Sequence, residues 1–289
     1  MESGRWKVSQ VTPPFPRFDF SVSRDKLRRM IAKTAGEIHY YQFAAFDDAD
    51  LAHGVFARWG GVSAGPYASL NLSVSTGDAP ENVRENRLRA FHVLERDPHS
   101  VADLWLVHSA DVVVADAPRG ARESLGRADA LVTDRPNVTL FLRFADCVPI
   151  LLYDPRRPAV GIVHAGWKGT LAKIAAAAVR VMTERYRSRP EDISAGIGPS
   201  IGPCHYEIGP EVVAGTRAAF GEVAGELLTR TNGRHHLDLW AANAHALREV
   251  GVERIEQSGL CTACCTGEFF SHRAEKGRTG RFGALIGLR

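Results

Sequence analysis

The sequence predicts a mixed α+β (mixed α/β) fold, a single compact domain of mixed β-sheets flanked by helices. Short runs rich in Val, Ile and Leu crowd the stretch from 104 to 165. Helical patterns interrupt them singly, without the regular βαβ alternation of a doubly wound sheet. No Pro-, Gly- or Ser-rich linker divides the chain after residue 37. The 289 residues are enough for one large core.

The elements follow in order. Residues 1–22 carry Pro13, Pro14 and Pro16 and no sustained periodicity, as expected of a flexible start. Ser23 has the character of an N-cap for a basic helix over 24–35 that Gly36 stops. Residues 1–37 are thus expected to be an N-terminal extension ahead of one main domain, 38–289. Strands are expected at IHYYQF (38–43), LWLVH (104–108), DVVVAD (111–116), DALVT (129–133), VTLFLRF (138–144), VPILLYD (148–154) and AVGIVHA (159–165). Several are apolar throughout, the pattern of strands buried on both faces. One helix is expected over 81–94, with Val83, Leu88, Phe91 and Leu94 apolar. A second, over 170–186, repeats Leu171, Ile174, Ala175, Ala178, Val181 and Met182 at helical spacing. A third runs over 238–250 through Leu239, Ala242, Ala246, Leu247 and Val250.

Composition narrows the function classes. With 36 basic and 33 acidic side chains the net charge is +3, which gives no electrostatic case for a nucleic-acid or polybasic membrane surface. No apolar stretch approaches the ~20 residues of a spanning helix, and the first residues lack a secretory hydrophobic core. Five cysteines are too few for a disulfide scaffold and their number is odd. The expected address is the cytoplasm, with reduced thiols free to act as ligands or nucleophiles.

Histidine and cysteine placement is the most informative feature. His108 closes the run LWLVH, Cys147 sits between two apolar runs in RFADCVP, and His164 closes GIVH before AGWKG. Each is thus at the end of an expected strand, where a side chain is held firmly yet can face a cleft. Two imidazoles and one thiolate are a borderline-soft donor set that suits Zn²⁺, and three protein ligands leave a fourth position for water or substrate. Zinc so held lowers the pKa of bound water toward ~7. The separations of 39 and 17 residues match no standard metal motif, and a histidine taken alone is more often a hydrogen-bonded structural residue.

Other patterns compete. His205-Tyr206-Glu207 with Cys261-x-x-Cys264 has the elements of a zinc nucleobase deaminase site, although Leu260 stands where that pattern has proline. Cys204, Cys261, Cys264 and Cys265 could instead form a structural zinc site; the default is that they are partly buried free thiols. Two glycine-rich loops, 58–72 and 195–209, have compositions that let backbone N–H groups approach an anion, but neither is a P-loop or dinucleotide fingerprint.

Taken together, ARWGGVSAGPYASLNLSVSTGD, LVHSADVVVADA, ADALVTDRP, FADCVPILLYD, GIVHAGWKGT, IGPSIGPCHYEIG, LDLWAANAHAL, SGLCTACC and FFSHRAEKGRTGR resemble, in order, the YfiH family. That bacterial family has been labelled polyphenol-oxidase laccase and is associated with purine nucleoside phosphorylase activity and peptidoglycan editing. The resemblance covers about 38–289. The family's metal-binding positions fall on His108, Cys147 and His164; Leu106, Ser109 and Lys168 depart from its usual Gln, Gly and Arg. The resemblance implies a zinc enzyme, with copper possible, that cleaves adenosine, inosine, guanosine or methylthioadenosine with phosphate and also deaminates adenosine. By analogy and loop composition, Arg58 and Asn71 are expected to contact phosphate or ribose, with Arg278 and Arg281 as alternatives. A multicopper oxidase would need histidine pairs of the His-x-His kind, and none of the eleven histidines are two residues apart. Two further alternatives are a cysteine hydrolase with Cys147 as nucleophile, editing peptidoglycan precursors, and a non-enzymatic binding protein.

Overall fold

The computed structural model describes residues 30–46, 50–120 and 124–289. Two six-stranded sheets lie face to face, each covered on its outer side by helices. The first runs, in spatial order, Ile31–Ala35, Ile38–Gln42, Leu51–Phe56, Phe282–Leu288, Thr139–Phe144, Val101–Ala102. The second runs Arg254–Gln257, Ser194–Ile197, Val148–Asp154, Ala159–Ala165, Ala130–Thr133, Val112–Val114. Both are mixed: most pairs are antiparallel, but Val101–Ala102 with Thr139–Phe144, Ser194–Ile197 with Arg254–Gln257, and Val112–Val114 with Ala130–Thr133 are parallel. A small third sheet joins Glu207–Ile208, Arg234–Leu237 and Leu228–Thr231.

The side-chain period of two explains why the strands are apolar throughout. Leu151, Tyr153, Val160 and Ile162 point between the sheets, where they meet Leu140, Leu142, Phe144, Ala284 and Ile286. Their neighbours Ile150, Leu152 and Val163 point the other way, onto Ala175, Ala178, Val179 and Met182 of the helix Ile174–Tyr186 and onto Ala242 and Leu247 of Leu239–Glu249. Outside the first sheet, Tyr40, Phe56, Phe141 and Leu285 pack on Ala90 and Phe91 of the helix Pro80–Val93. The layers are therefore helix, sheet, sheet, helix, as the mixed α+β class requires. No helix among the described residues is long and apolar enough to cross a membrane.

Three expectations need correction. The helix expected over 24–35 is a strand over Ile31–Ala35, paired antiparallel with Ile38–Gln42 across Gly36 at φ 59°; the rest of it lies outside the described residues. Hairpin pairing satisfies the backbone there, and the first sheet begins before the boundary drawn at residue 37. LWLVH is not a strand: only an isolated bridge, Trp105 with Arg127, pairs it, and its backbone is held by a carboxylate instead. The helix over 170–186 is two pieces, Trp167–Leu171 and Ile174–Tyr186, parted by Lys173 in the left-handed region at φ 56°.

Candidate active site and metal centre

The hairpin Val148–Asp154/Ala159–Ala165 builds the site. Its register sets Val148 opposite Ala165 and Pro149 opposite His164, so Cys147 and His164 emerge at the same sheet end. Residue 166 follows at once, and only glycine fits there: a Cβ would lie 2.7 Å from His108 Cδ2 and 3.2 Å from Cys147 Sγ. His108 arrives on the irregular segment after Trp105, itself in the left-handed region at φ 61°. A bulky residue held there incurs a cost that the surroundings must offset, a feature that concentrates at functional sites.

Asp129, at the mouth of Ala130–Thr133, joins the two histidines. Its Oδ1 lies 2.9 Å from His164 Nδ1, and its Oδ2 accepts from the backbone N–H groups of Val107 (3.2 Å) and Ser109 (2.7 Å), on either side of His108. Burial by itself would raise the Asp129 carboxyl, but the hydrogen bonds from His164 and Ser109 outweigh it and hold the group below its ordinary value. An ionised carboxylate can only accept, so His164 Nδ1 carries the proton and Nε2 is left with its lone pair free to ligate. His108 Nε2 is 3.8 Å from Cys147 Sγ, and one ligand atom from each of His108, Cys147 and His164 lies within 4.8 Å of the others. His164 is buried, Cys147 half-buried and His108 exposed, so the trio opens to one side. Two nitrogens, one sulfur, a fixed tautomer and room secured by Gly166 fit a three-ligand metal centre.

Cys147 is supported by its neighbour. Asp146, at φ 86°, accepts from Thr262 Oγ1 and Ser271 Oγ (both 2.7 Å) and from Arg273 N–H (2.6 Å). Three donors thus pin the turn that presents the thiol.

The trio opens into a cavity of about 870 Å³. Part of its lining is cationic. Asp103, buried, is surrounded by Arg143 (2.9 Å), Arg119 (3.5 Å) and Arg87 (4.0 Å). Burial and the like charge of Arg143 lower Arg87 to about 10, against the pull of Asp103. Three guanidinium groups about one carboxylate leave a positive excess suited to an anion. Arg273, Arg281 and His272 extend the polar lining, while Tyr206 and half-exposed Trp105 supply ring faces.

The expected contacts Arg58 and Asn71 do not line this cavity. Arg58 donates to the carbonyls of Ala68 (2.9 Å) and Thr266 (2.7 Å), pairs with Glu275 (3.1 Å) and lies over Phe270. Asn71 is fully buried; its Nδ2 donates to Thr76 Oγ1 and Asp78 Oδ2, and its Oδ1 accepts from Arg281 N–H. Both brace the glycine-rich loop, since Arg58 Nε and Nη1 and both amide atoms of Asn71 already have protein partners. Of the alternatives, Arg281 lines the cavity and Arg278 does not. Sequence reasoning missed Asp129 and the arginines about Asp103; the only signal for Asp129 was a carboxylate directly before an apolar run.

A second cluster lies on the neighbouring loops, where Cys204, His205, Cys261 and Cys264 bring their ligand atoms within 4.8 Å of one another. Cys265 is not among them. Glu207, which a deaminase-like site would need beside His205, is turned to Arg234 Nη1 at 2.7 Å. Burial, with Cys261 and Cys264 alongside, pushes the Cys204 thiol up.

The chain matches the family model described as multi-copper polyphenol oxidoreductase laccase over residues 52–289. It is 43% identical over 238 residues to a purine nucleoside phosphorylase of Deinococcus radiodurans, covering 82% of this chain and 89% of that one. It is 36% identical over 253 residues to the purine nucleoside phosphorylase YlmD of Bacillus subtilis, covering 84% and 90%. Among solved structures, YlmD from Geobacillus stearothermophilus superposes with a TM-score of 0.83 at 36% identity over 89% of this chain and 97% of that one. The YfiH protein of Bacillus licheniformis gives 0.82 at 35% over 88% and 97%. With sequence, layers and topology in agreement, the chain belongs to the YfiH family.

Proposed function

We propose that this chain is a zinc-dependent purine nucleoside phosphorylase of broad specificity. It converts adenosine, inosine, guanosine or methylthioadenosine with phosphate to free base and ribose 1-phosphate, and deaminates adenosine as a side activity. The observation that carries this reading is that the His108–Cys147–His164 trio and the arginines about Asp103 face one cavity large enough for a nucleoside. The names of the relatives support the phosphorylase part of it.

His108, Cys147 and His164 would hold the zinc, and copper could occupy the same donors. When bound, the ion supplies Lewis acidity and activation of water. Asp129 keeps His164 in the ligating tautomer and fixes the backbone on either side of His108. Arg87, Arg119 and Arg143 offset the charge of phosphate and hold it against the sugar. A phosphate oxygen bonds to C1′ as the bond from C1′ to the purine nitrogen breaks, and the electron pair leaves with the base. Trp105 and Tyr206 provide ring faces for that base. Free thiols fit a reducing compartment, the cytoplasm.

The test is incubation of metal-quantified protein with adenosine, with and without phosphate, followed by chromatography. Adenine that depends on phosphate, with inosine that does not, is the expected result. No base release under any condition overturns it. Activity of metal-free protein that is lost when Cys147 is alkylated transfers the reading to a cysteine hydrolase.

A further inference from the structure

The strands Ser194–Ile197 and Arg254–Gln257 run parallel, so the loops after them leave the sheet side by side. The loops stay paired: Ser200 bridges Cys261, Ser200 N–H donates to Leu260 O (3.2 Å) and Thr262 N–H to Ser200 O (3.0 Å). This brings four soft donors together from both loops. Cys204 Sγ is 3.6 Å from Cys264 Sγ. His205 Nδ1 is 3.3 Å from Cys204 Sγ, 3.3 Å from Cys264 Sγ and 3.8 Å from Cys261 Sγ.

These separations have a simple reading. Metal–ligand bonds of ~2.3 Å to sulfur and ~2.05 Å to nitrogen at tetrahedral angles put sulfurs about 3.8 Å apart and sulfur about 3.6 Å from nitrogen. A disulfide would need the sulfurs at ~2.05 Å. Gly202 N–H also donates to Cys261 Sγ at 3.2 Å, which fixes where that sulfur sits. Residue 202 can only be glycine, since a Cβ would meet Trp240 at 2.7 Å and Cys261 Cβ at 3.1 Å.

We propose that Cys204, His205, Cys261 and Cys264 hold a structural zinc ion, separate from the three-ligand centre in the cavity. Four protein donors complete a tetrahedron and leave no position for substrate, so the ion fastens and does not catalyse. What it fastens matters to the cavity: Ile201 and Tyr206 on one loop line it, and Thr262 on the other donates to Asp146 beside Cys147.

The experiment measures zinc in the full chain and in the His108→Ala/Cys147→Ala/His164→Ala variant, which empties the cavity centre. The variant should keep one tightly held zinc per chain. Exchange for Co²⁺ should give the intense visible absorption of a tetrahedral thiolate site, and adding Cys204→Ala and Cys264→Ala should abolish both. In wild-type protein the exposed Cys204 and Cys264 should resist alkylation until a chelator is added, which decides the matter if the variant fails to fold. The proposal is overturned by a folded cavity variant without zinc, by alkylation equally fast before and after chelation, or by a Cys204–Cys264 disulfide in mass spectra. Turnover is not the readout, so these results stand apart from the phosphorolysis reading.

Discussion

Two clusters of nitrogen and sulfur donors stand about one loop apart in this molecule, and they are built differently. His108, Cys147 and His164 are three donors of graded exposure, one of them aimed by a carboxylate, at the edge of a cationic cavity. Cys204, His205, Cys261 and Cys264 are four donors on two paired loops, and the carboxylate nearest in sequence, Glu207, points elsewhere. An open position plus charge complementarity is what chemistry on a substrate needs; a closed set of donors is what fastening loops needs. Donor identity alone does not separate the two roles. Donor number, the groups behind the donors and the space in front of them do.

The sharpest way to break this contrast is His164→Ala. It should reduce nucleoside turnover to background while the zinc of the four-donor cluster remains, read by activity and metal content on one preparation. Turnover that persists would mean the cavity trio is not the reacting centre. Asp129→Asn is the next largest. Its amide can donate where the carboxylate could only accept, so His164 loses its fixed tautomer and activity should fall ~10–100-fold. An unchanged rate would make Asp129 a purely structural link. Arg119→Met should raise the KM for phosphate by about tenfold with kcat less affected, since it removes one of three guanidinium groups without touching the trio. Equal effects on phosphate-free deamination would count against a phosphate subsite.

The smallest effect concerns the first sheet, which lies behind the one carrying both clusters. His53 is buried against Phe43 and Phe46, and burial lowers its pKa from 6.5 to about 4. Between those values the unfolded chain binds a proton that the folded chain refuses, so stability falls as the pH drops from 6.5 toward 4. At pH 5 the loss is about 2 kcal/mol. His53→Gln should flatten that slope in denaturant titrations at pH 7 and pH 5; a slope that survives the substitution locates the acid sensitivity elsewhere.

Much of the fold was legible because burial on two faces leaves a mark that needs no partner to be seen. Leu151 and Leu152 serve opposite layers, yet both must be apolar, and the runs at 138–144, 148–154 and 159–165 stand out for that reason. The helix over 81–94 was equally clear, with Pro80 opening it. Local rules failed where tertiary partners satisfy the backbone. Ile31–Ala35, the end of a segment with helical composition, gains a hairpin partner in Ile38–Gln42. LWLVH has strand composition, but Val107 and Ser109 give their N–H groups to Asp129. Arg58 and Asn71 had the chemistry of anion contacts and spend it on other parts of the protein, Arg58 on Thr266 and Glu275 and Asn71 on Thr76, Asp78 and Arg281, which no composition reveals.

By itself the sequence determined the class of fold and singled out His108, Cys147 and His164, which the structure brings together, because apolar periodicity and soft side chains are properties of residues. Only the tertiary structure decided that Asp129 aligns two of those donors, that three arginines gather about Asp103, and that His205 joins Cys204, Cys261 and Cys264. These facts depend on strand register and on loops leaving parallel strands together, and such proximity is fixed by the packing of the whole chain rather than by any segment of it.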